Sequence, residues 1–204
     1  MSEFVWLASQ SPRRRQLLEQ IGVAHRPLLP GEDEDAEALE ALRAGEQPEA
    51  YVRRVTRAKL AAAERRLLAR GLERAPILCA DTTVVLGRTI LGKPRDVADA
   101  AAMLARLSGR THRVLSAVAI FDGRRRLLML NVSHVRFARL ERAWIDAYVA
   151  SGDPFGKAGA YAIQSAAAAQ VERIDGSHSG IMGLPLYETA QLLARAGVRM
   201  GSAP

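Results

Sequence analysis

The chain has 204 residues, of which 49% are hydrophobic and 25% charged, the balance of one sizeable globular domain spanning 1–204. No apolar run reaches the ~18 residues a membrane span needs, and the N-terminus, with acidic Glu3, does not read as a secretory signal, so a cytosolic protein is expected. A single cysteine, Cys79, excludes an intrachain disulfide, and the net charge of +7 suits anionic partners.

In chain order, Phe4 to Ala8 reads as a short buried strand. Ser9-Gln10 is a loop, and Ser11-Pro12 opens a helix with Ser11 as N-cap and Pro12 at the first helical position. Leu17, Leu18 and Ile21 form its apolar face and Gly22 ends it. Residues 30–40 are acidic and loop-like, and read first as a solvated run. A long helix is expected from Pro48 to Arg70, with Tyr51, Val52, Val55 and Leu60 on one side. Ala75 to Leu86 is an apolar strand interrupted by Asp81, Thr82 and Thr83, in which Cys79 reads as a small buried hydrophobe. A helix from Val97 to Leu107 stops at Gly109. His112 to Phe121 and Leu127 to Leu140 pair across the turn Asp122-Gly123. Helices follow from Glu141 to Ala150 and from Pro185 to Ala196. Strands and helices intermix without strict βαβ alternation, which predicts an α/β (mixed α+β) fold with a mixed sheet.

Three places carry chemistry. The loop Ala8-Ser9-Gln10-Ser11-Pro12-Arg13-Arg14 puts amide donors, two hydroxyls and two guanidiniums at one helix N-terminus, a natural anion site. Arginines there oppose the helix dipole, which points to a bound anion rather than to helix stability. Asp81 emerges from an apolar strand, where a carboxylate needs a cation, a metal or a donor network. Leu91-Gly92-Lys93-Pro94 fixes an ammonium in a turn. Only three of the 29 basic residues are lysine, namely Lys59, Lys93 and Lys157, which marks them as candidates for sites needing a compact ammonium. One carboxylate of Glu32, Asp33, Glu34 and Asp35 is a candidate to help Asp81 hold a divalent cation.

With those residues in place, the sequence resembles the Maf family of nucleotide pyrophosphatases. Leu7-Ala-Ser-Gln-Ser-Pro-Arg-Arg14, Ala80-Asp-Thr82 with Leu91-Gly-Lys-Pro94, Leu107-Ser-Gly-Arg-Thr-His112, Lys157 to Gln164, and Gly183-Leu-Pro-Leu186 fall in the family's order. The resemblance implies a central mixed twisted sheet flanked by helices in two lobes around a cleft, hydrolysis of a nucleoside triphosphate between its α and β phosphates, a divalent cation (Mg²⁺ or Mn²⁺) and a homodimer. It implies Asp81 as catalytic residue, Ser9, Arg14, Lys59 and Lys93 around the phosphates, and Glu34 with Asp81 on the metal. Arg13, Thr82 and Gln164 match the specificity positions of the branch acting on dTTP and UTP. A side-chain amide suits uracil, since it accepts from the ring N3–H while donating to a carbonyl. Gly156, Ser165 and Gly180 depart from the family's usual aspartate, glycine and asparagine, and put substrate choice in question. The alternatives are a 7-methyl-GTP pyrophosphatase, or a nucleic-acid-binding regulator of septum formation using the Ser11–Arg15 basic run. Aromatics at 5% and the absence of a helix-turn-helix or zinc motif argue against nucleic acid.

Overall fold

The computed structural model describes residues 2–31, 34, 35 and 38–201. Seven strands form one mixed sheet: β1 Val5–Leu7, β2 His25–Pro27, β3 Ile77–Leu86, β4 Thr89–Leu91, β5 Thr111–Phe121, β6 Arg126–Phe137 and β7 Val171–Asp175. Its order is β2-β1-β3-β5-β6-β7, with β4 beside β3. The β2–β1 and β1–β3 pairs are parallel and all the others antiparallel. Among the described residues six α-helices accompany it: α1 Pro12–Gln20, α2 Pro48–Ala69, α3 Val97–Leu107, α4 Arg142–Ala150, α5 His178–Met182 and α6 Leu186–Arg195. The mixed α/β class is therefore as the sequence predicts. No described helix is long and apolar enough to cross a membrane.

Strand β3 organises the molecule because its side chains alternate between two covered faces. On one face Ile77 and Cys79 pack on Leu60, Ala63 and Leu67 of α2, while Val85 packs with Tyr51, Val52 and Val55. On the other, Leu78 and Ala80 meet Leu17, Leu18, Leu192 and Leu193, and Val84 joins Leu104, Leu107 and Ile145. Each such aliphatic side chain contributes roughly 1.5–3 kcal/mol by leaving water. Cys79 is fully buried, and burial pushes its thiol up to about 12, so it is an inert core residue.

One edge of β3 is paired without a break, Ile77 to Val85 against Phe121 to Arg113 of β5. The other edge is not. There β1 pairs only with Ile77 and Leu78, and β4 only with Val84 to Leu86. β1 runs parallel to β3 and β4 antiparallel, so both end pointing at the stretch between them, Cys79 to Thr83. Backbone that a neighbouring strand would cover is open to a ligand here, much as at the switch point of an open α/β sheet.

Candidate active site

The gap in the sheet becomes a cleft of roughly 460 Å³. β1 feeds the loop Ser9–Ser11 and the start of α1 into it, and β4 delivers Gly92 and Lys93. Ser11 occupies the N-cap of α1 but makes no side-chain capping bond. Its own amide donates to Ser9 Oγ at 3.2 Å instead. With no cap and no acidic residue in the first turn, the positive end of α1 stays available to an anion.

Two guanidiniums are fixed at that end. Arg14 donates to Gly183 O (2.8 Å) and Ser9 Oγ (3.0 Å), and Arg13 to Met182 O (3.3 Å). Both therefore tie α1 to the end of α5, across the cleft. Burial pulls the Arg14 guanidinium below its ordinary value, and the negative charge of Asp81 works against that pull.

Asp81 points to the α2 face of β3, where Lys59 of α2 meets it at 2.6 Å. The aspartate is 7% exposed. Among the described residues Lys59 is its one hydrogen-bond partner, so a second carboxylate oxygen faces the cleft. Lys59 also donates to Glu40 Oε1 at 2.7 Å, and Lys93 to Glu40 Oε2 at 3.0 Å. Burial disfavours the charge on Lys59, but Asp81 and Glu40 outweigh it and hold the ammonium above its ordinary value. Burial alone pushes Tyr51 upward, and with the nearby charges of Asp81 and Glu40 its hydroxyl reaches about 12.

Residues 4–196 match the family model described as Maf-like protein. The chain belongs to the Maf family. It is 60% identical over 199 residues to a protein of Polaromonas sp. named dTTP/UTP pyrophosphatase, covering 98% of each chain. A Burkholderia pseudomallei protein of the same name is 62% identical over 197 residues, 96% of this chain and 94% of the relative. One from Albidiferax ferrireducens is 58% identical over 200 residues, 98% of this chain and 100% of the relative. Among solved structures, the Staphylococcus aureus Ham1 protein aligns at 10% identity and a TM-score of 0.36, over 67% of this chain and 72% of that one, too slight a likeness to argue from.

In this Maf protein Thr82, next in sequence to Asp81, points to the opposite face of β3. Its hydroxyl shares a 2.9 Å hydrogen bond with Ser116, whose Oγ donates to Gly180 O at 2.6 Å. Thr82 thus reads the α5 side of the cleft while Asp81 reads the α2 side. Gln164, exposed, and Arg13 line the cleft with Phe155, Gly156, Ile163 and Met182. All three expected specificity positions therefore line one cleft. Two of the three departures from the family pattern, Ser165 and Gly180, have structural partners. Gly156 has a φ of +72° and open space where a side chain would stand. Ser165 bonds Tyr148 and Ala162 O. A Cβ at Gly180 would stand 2.8 Å from Asn131 Oδ1, so Asn131 fills the space an asparagine there would take.

Ser9, Arg14, Lys59, Lys93 and Asp81 thus line one cleft. Glu34 is not among the residues lining the cleft. It takes two bonds from Arg66 (2.7 and 2.6 Å) and one from the amide of Gly31, and Arg66 above all holds it down to about 2. The carboxylate beside Lys59 is Glu40 instead, which the sequence reading left within a solvated run. Glu32 and Asp33 lie outside the described residues. Lys157 lines the cleft, but its ammonium is engaged by Asp153.

Proposed function

We propose that this protein hydrolyses dTTP and UTP to the nucleoside monophosphate and pyrophosphate, as a cytosolic, homodimeric enzyme. The observation that carries the reading is Asp81: a carboxylate held by Lys59 in the open edge of a sheet, between a positive helix end and a fixed lysine. Water attacks the α-phosphorus, an O–P bond forms, and the bond from the α-phosphorus to the bridging oxygen breaks as pyrophosphate departs. Asp81 orients that water and takes its proton, which then passes to solvent. Ser9, Arg14, Lys59 and Lys93 with the α1 amides bind the phosphate chain, so catalysis is positioning and electrostatic stabilisation.

A hard divalent cation fits Asp81, whose second oxygen faces the cleft; such ions take one or two carboxylates and fill their shell with water and phosphate oxygens. When bound, the ion neutralises charge on the phosphates. Glu34, paired with Arg66, is not proposed as a ligand.

The base is read by Gln164, Thr82 and Arg13, which all line the cleft. The names of the relatives support pyrimidines over 7-methyl-GTP. Arg13 and Arg14 turn into the cleft, which favours a nucleotide over a nucleic-acid backbone. The test is product analysis over a panel of triphosphates with Mg²⁺ or Mn²⁺. Pyrophosphate, not inorganic phosphate, is expected from dTTP and UTP, with CTP and 7-methyl-GTP far behind. Release of orthophosphate, or preference for 7-methyl-GTP, would overturn the reading.

A further inference from the structure

Behind the wall that carries Gln164 lies a polar cluster that the reaction does not use. Tyr148 of α4 is buried, and its ring stacks on Trp144 with centroids 4.8 Å apart. Its hydroxyl donates to Asp153 Oδ2 and stands 3.1 Å from Ser165 Oγ. The amide of Ala162 donates to the same phenolic oxygen at 3.4 Å. Asp153 in turn takes the ammonium of Lys157 on its backbone carbonyl and on Oδ1. Tyr148, Asp153 and Ser165 stand behind the cleft rather than in its lining.

Ala162 and Ser165 are the two ends of the turn that carries Gln164. The amide of Ser165 donates to Ala162 O at 3.1 Å, which closes the turn, and the Ser165 hydroxyl reaches the same carbonyl at 2.9 Å. Ser165 also stands at the N-cap of the short 3₁₀ helix Ala166–Gln170, where a serine ordinarily accepts from an amide of the first turn. Here it makes no capping bond among the described residues and turns back instead. Both ends of the turn therefore converge on one phenolic oxygen. A carboxylate only accepts, so Tyr148 gives its proton to Asp153 and leaves its own oxygen to accept. Burial and then Asp153 push the Tyr148 hydroxyl up to about 12, so it remains a donor at neutral pH. Burial works against the charge on Asp153, but Ser165, Tyr148 and Lys157 outweigh it and hold the carboxyl below its ordinary value.

We propose that Tyr148, oriented by Asp153 and joined by Ser165, is a positioning residue for base selection: it fixes the turn from which Gln164 presents its amide to the pyrimidine ring. This rests on Gln164 reading the base. The physical reason is directional. An amide tells uracil from cytosine only when its oxygen meets the ring N3–H and its nitrogen a carbonyl. Gln164 is exposed, so its alignment is only as good as the hold on its backbone. Anchoring both ends of the turn to α4 lowers the entropic cost of ordering that side chain on a substrate. In the family pattern a glycine takes the place of Ser165, and a glycine has no hydroxyl to give, so this part of the anchor belongs to the present chain.

The experiment is steady-state kinetics on UTP and CTP with wild type, Tyr148→Phe, Ser165→Ala, Ser165→Thr and Gln164→Ala, each checked by a melting curve. Tyr148→Phe keeps the ring on Trp144 and removes the hydroxyl. The ratio of kcat/KM for UTP to that for CTP is expected to fall about threefold to fivefold, less than on removing the amide itself, as one shared hydrogen-bonding group is lost. The change enters through KM for UTP, with kcat held. Ser165→Ala lowers the ratio by less, and Ser165→Thr, which keeps a hydroxyl, stays at the wild-type ratio. Adding Tyr148→Phe to Gln164→Ala changes the ratio no further, because Tyr148 acts through Gln164. A folded Tyr148→Phe with the wild-type ratio, or with equal losses on UTP and CTP, overturns the proposal. If Tyr148→Phe does not fold, Ser165→Ala against Ser165→Thr decides it in the same way. A Gln164→Ala protein that keeps the wild-type ratio sinks the base reading and the proposal with it. A lowered ratio there, beside an unchanged one in Tyr148→Phe, sinks only the role of Tyr148.

Discussion

The two sides of the cleft are built by different means. On the α2 side, Lys59, Asp81, Glu40 and Lys93 form one continuous chain of ion pairs from four separate segments. On the α5 side, Arg13 and Arg14 are held by the carbonyls of Met182 and Gly183 and Thr82 by Ser116, so the partners are carbonyl and hydroxyl oxygens rather than carboxylates. Behind that lining, Gly159 has a φ of +70° and a Cβ would stand 2.8 Å from Val84 Cγ1, and Ala160 has a φ of +61°, while Gln164 itself lines the cleft. Ion pairs thus fix the side chains on the first side, and hydrogen bonds to carbonyl and hydroxyl oxygens fix those on the second. Loss of a partner is expected to harm chemistry on the first side and selectivity on the second.

The largest effect among substitutions around Asp81 is expected from Lys59→Ala. It leaves Asp81, scarcely exposed, without its cation, and removes a phosphate ligand at once. A fall of about 10²–10³ in kcat/KM is expected from steady-state kinetics, the scale of losing one preorganised electrostatic partner. A fall of less than tenfold would mean that the ion-pair chain is structural only.

The next effect lies behind the far wall. His112 is buried with Nε2 on Tyr161 Oη at 2.7 Å and Nδ1 without a partner among the described residues. Burial pushes its imidazole down to about 4, against an ordinary value of about 6.5. Between those values the unfolded chain binds a proton that the folded chain refuses. Its contribution to stability is therefore complete above about pH 6.5 and is lost as pH falls toward 4, by up to roughly 3 kcal/mol. Urea midpoints at about pH 7 and pH 4.5 should draw apart more in wild type than in His112→Phe. Equal separation would show that His112 does not set the acid sensitivity of this wall.

The smallest effect should be the most selective. Gln164→Ala is expected to reduce discrimination of UTP over CTP by about tenfold, the worth of one lost hydrogen bond, with turnover of UTP less affected. A uniform loss on both substrates would move Gln164 from base recognition to support of the fold.

How far the sequence carried this account depends on the length and the covalent constraints of each piece. The long elements were legible, because α2, β3, β5 and the β6 partner bury regular apolar faces. Ser9 to Arg14, Asp81 and Lys93 were legible because a glycine or proline turn, or an apolar strand, leaves a polar group few other uses. β2, β4 and β7, of three, three and five residues, were not. They are short edge or hairpin strands, too brief to show an alternating pattern, that acquire pairing only from their neighbours. The five-residue α5 likewise shows too little periodicity to read. β6 ends at Phe137 rather than at Leu140, since Gln170 O takes the amide of Ala138 as β7 arrives. Glu40 was illegible for a different reason. In an acidic run, which carboxylate turns inward depends on where Tyr51 and Arg54 fasten the chain, and spacing alone does not encode that.

The most direct test of the central claim is turnover of dTTP by Asp81→Asn, with folding verified by thermal melting. The substitution keeps the size and the contact with Lys59 while removing the negative charge. The account predicts a folded protein whose pyrophosphate release falls by about 10²–10⁴, the usual contribution of a positioned acid–base group. A folded Asp81→Asn that turns over dTTP at the wild-type rate would contradict it.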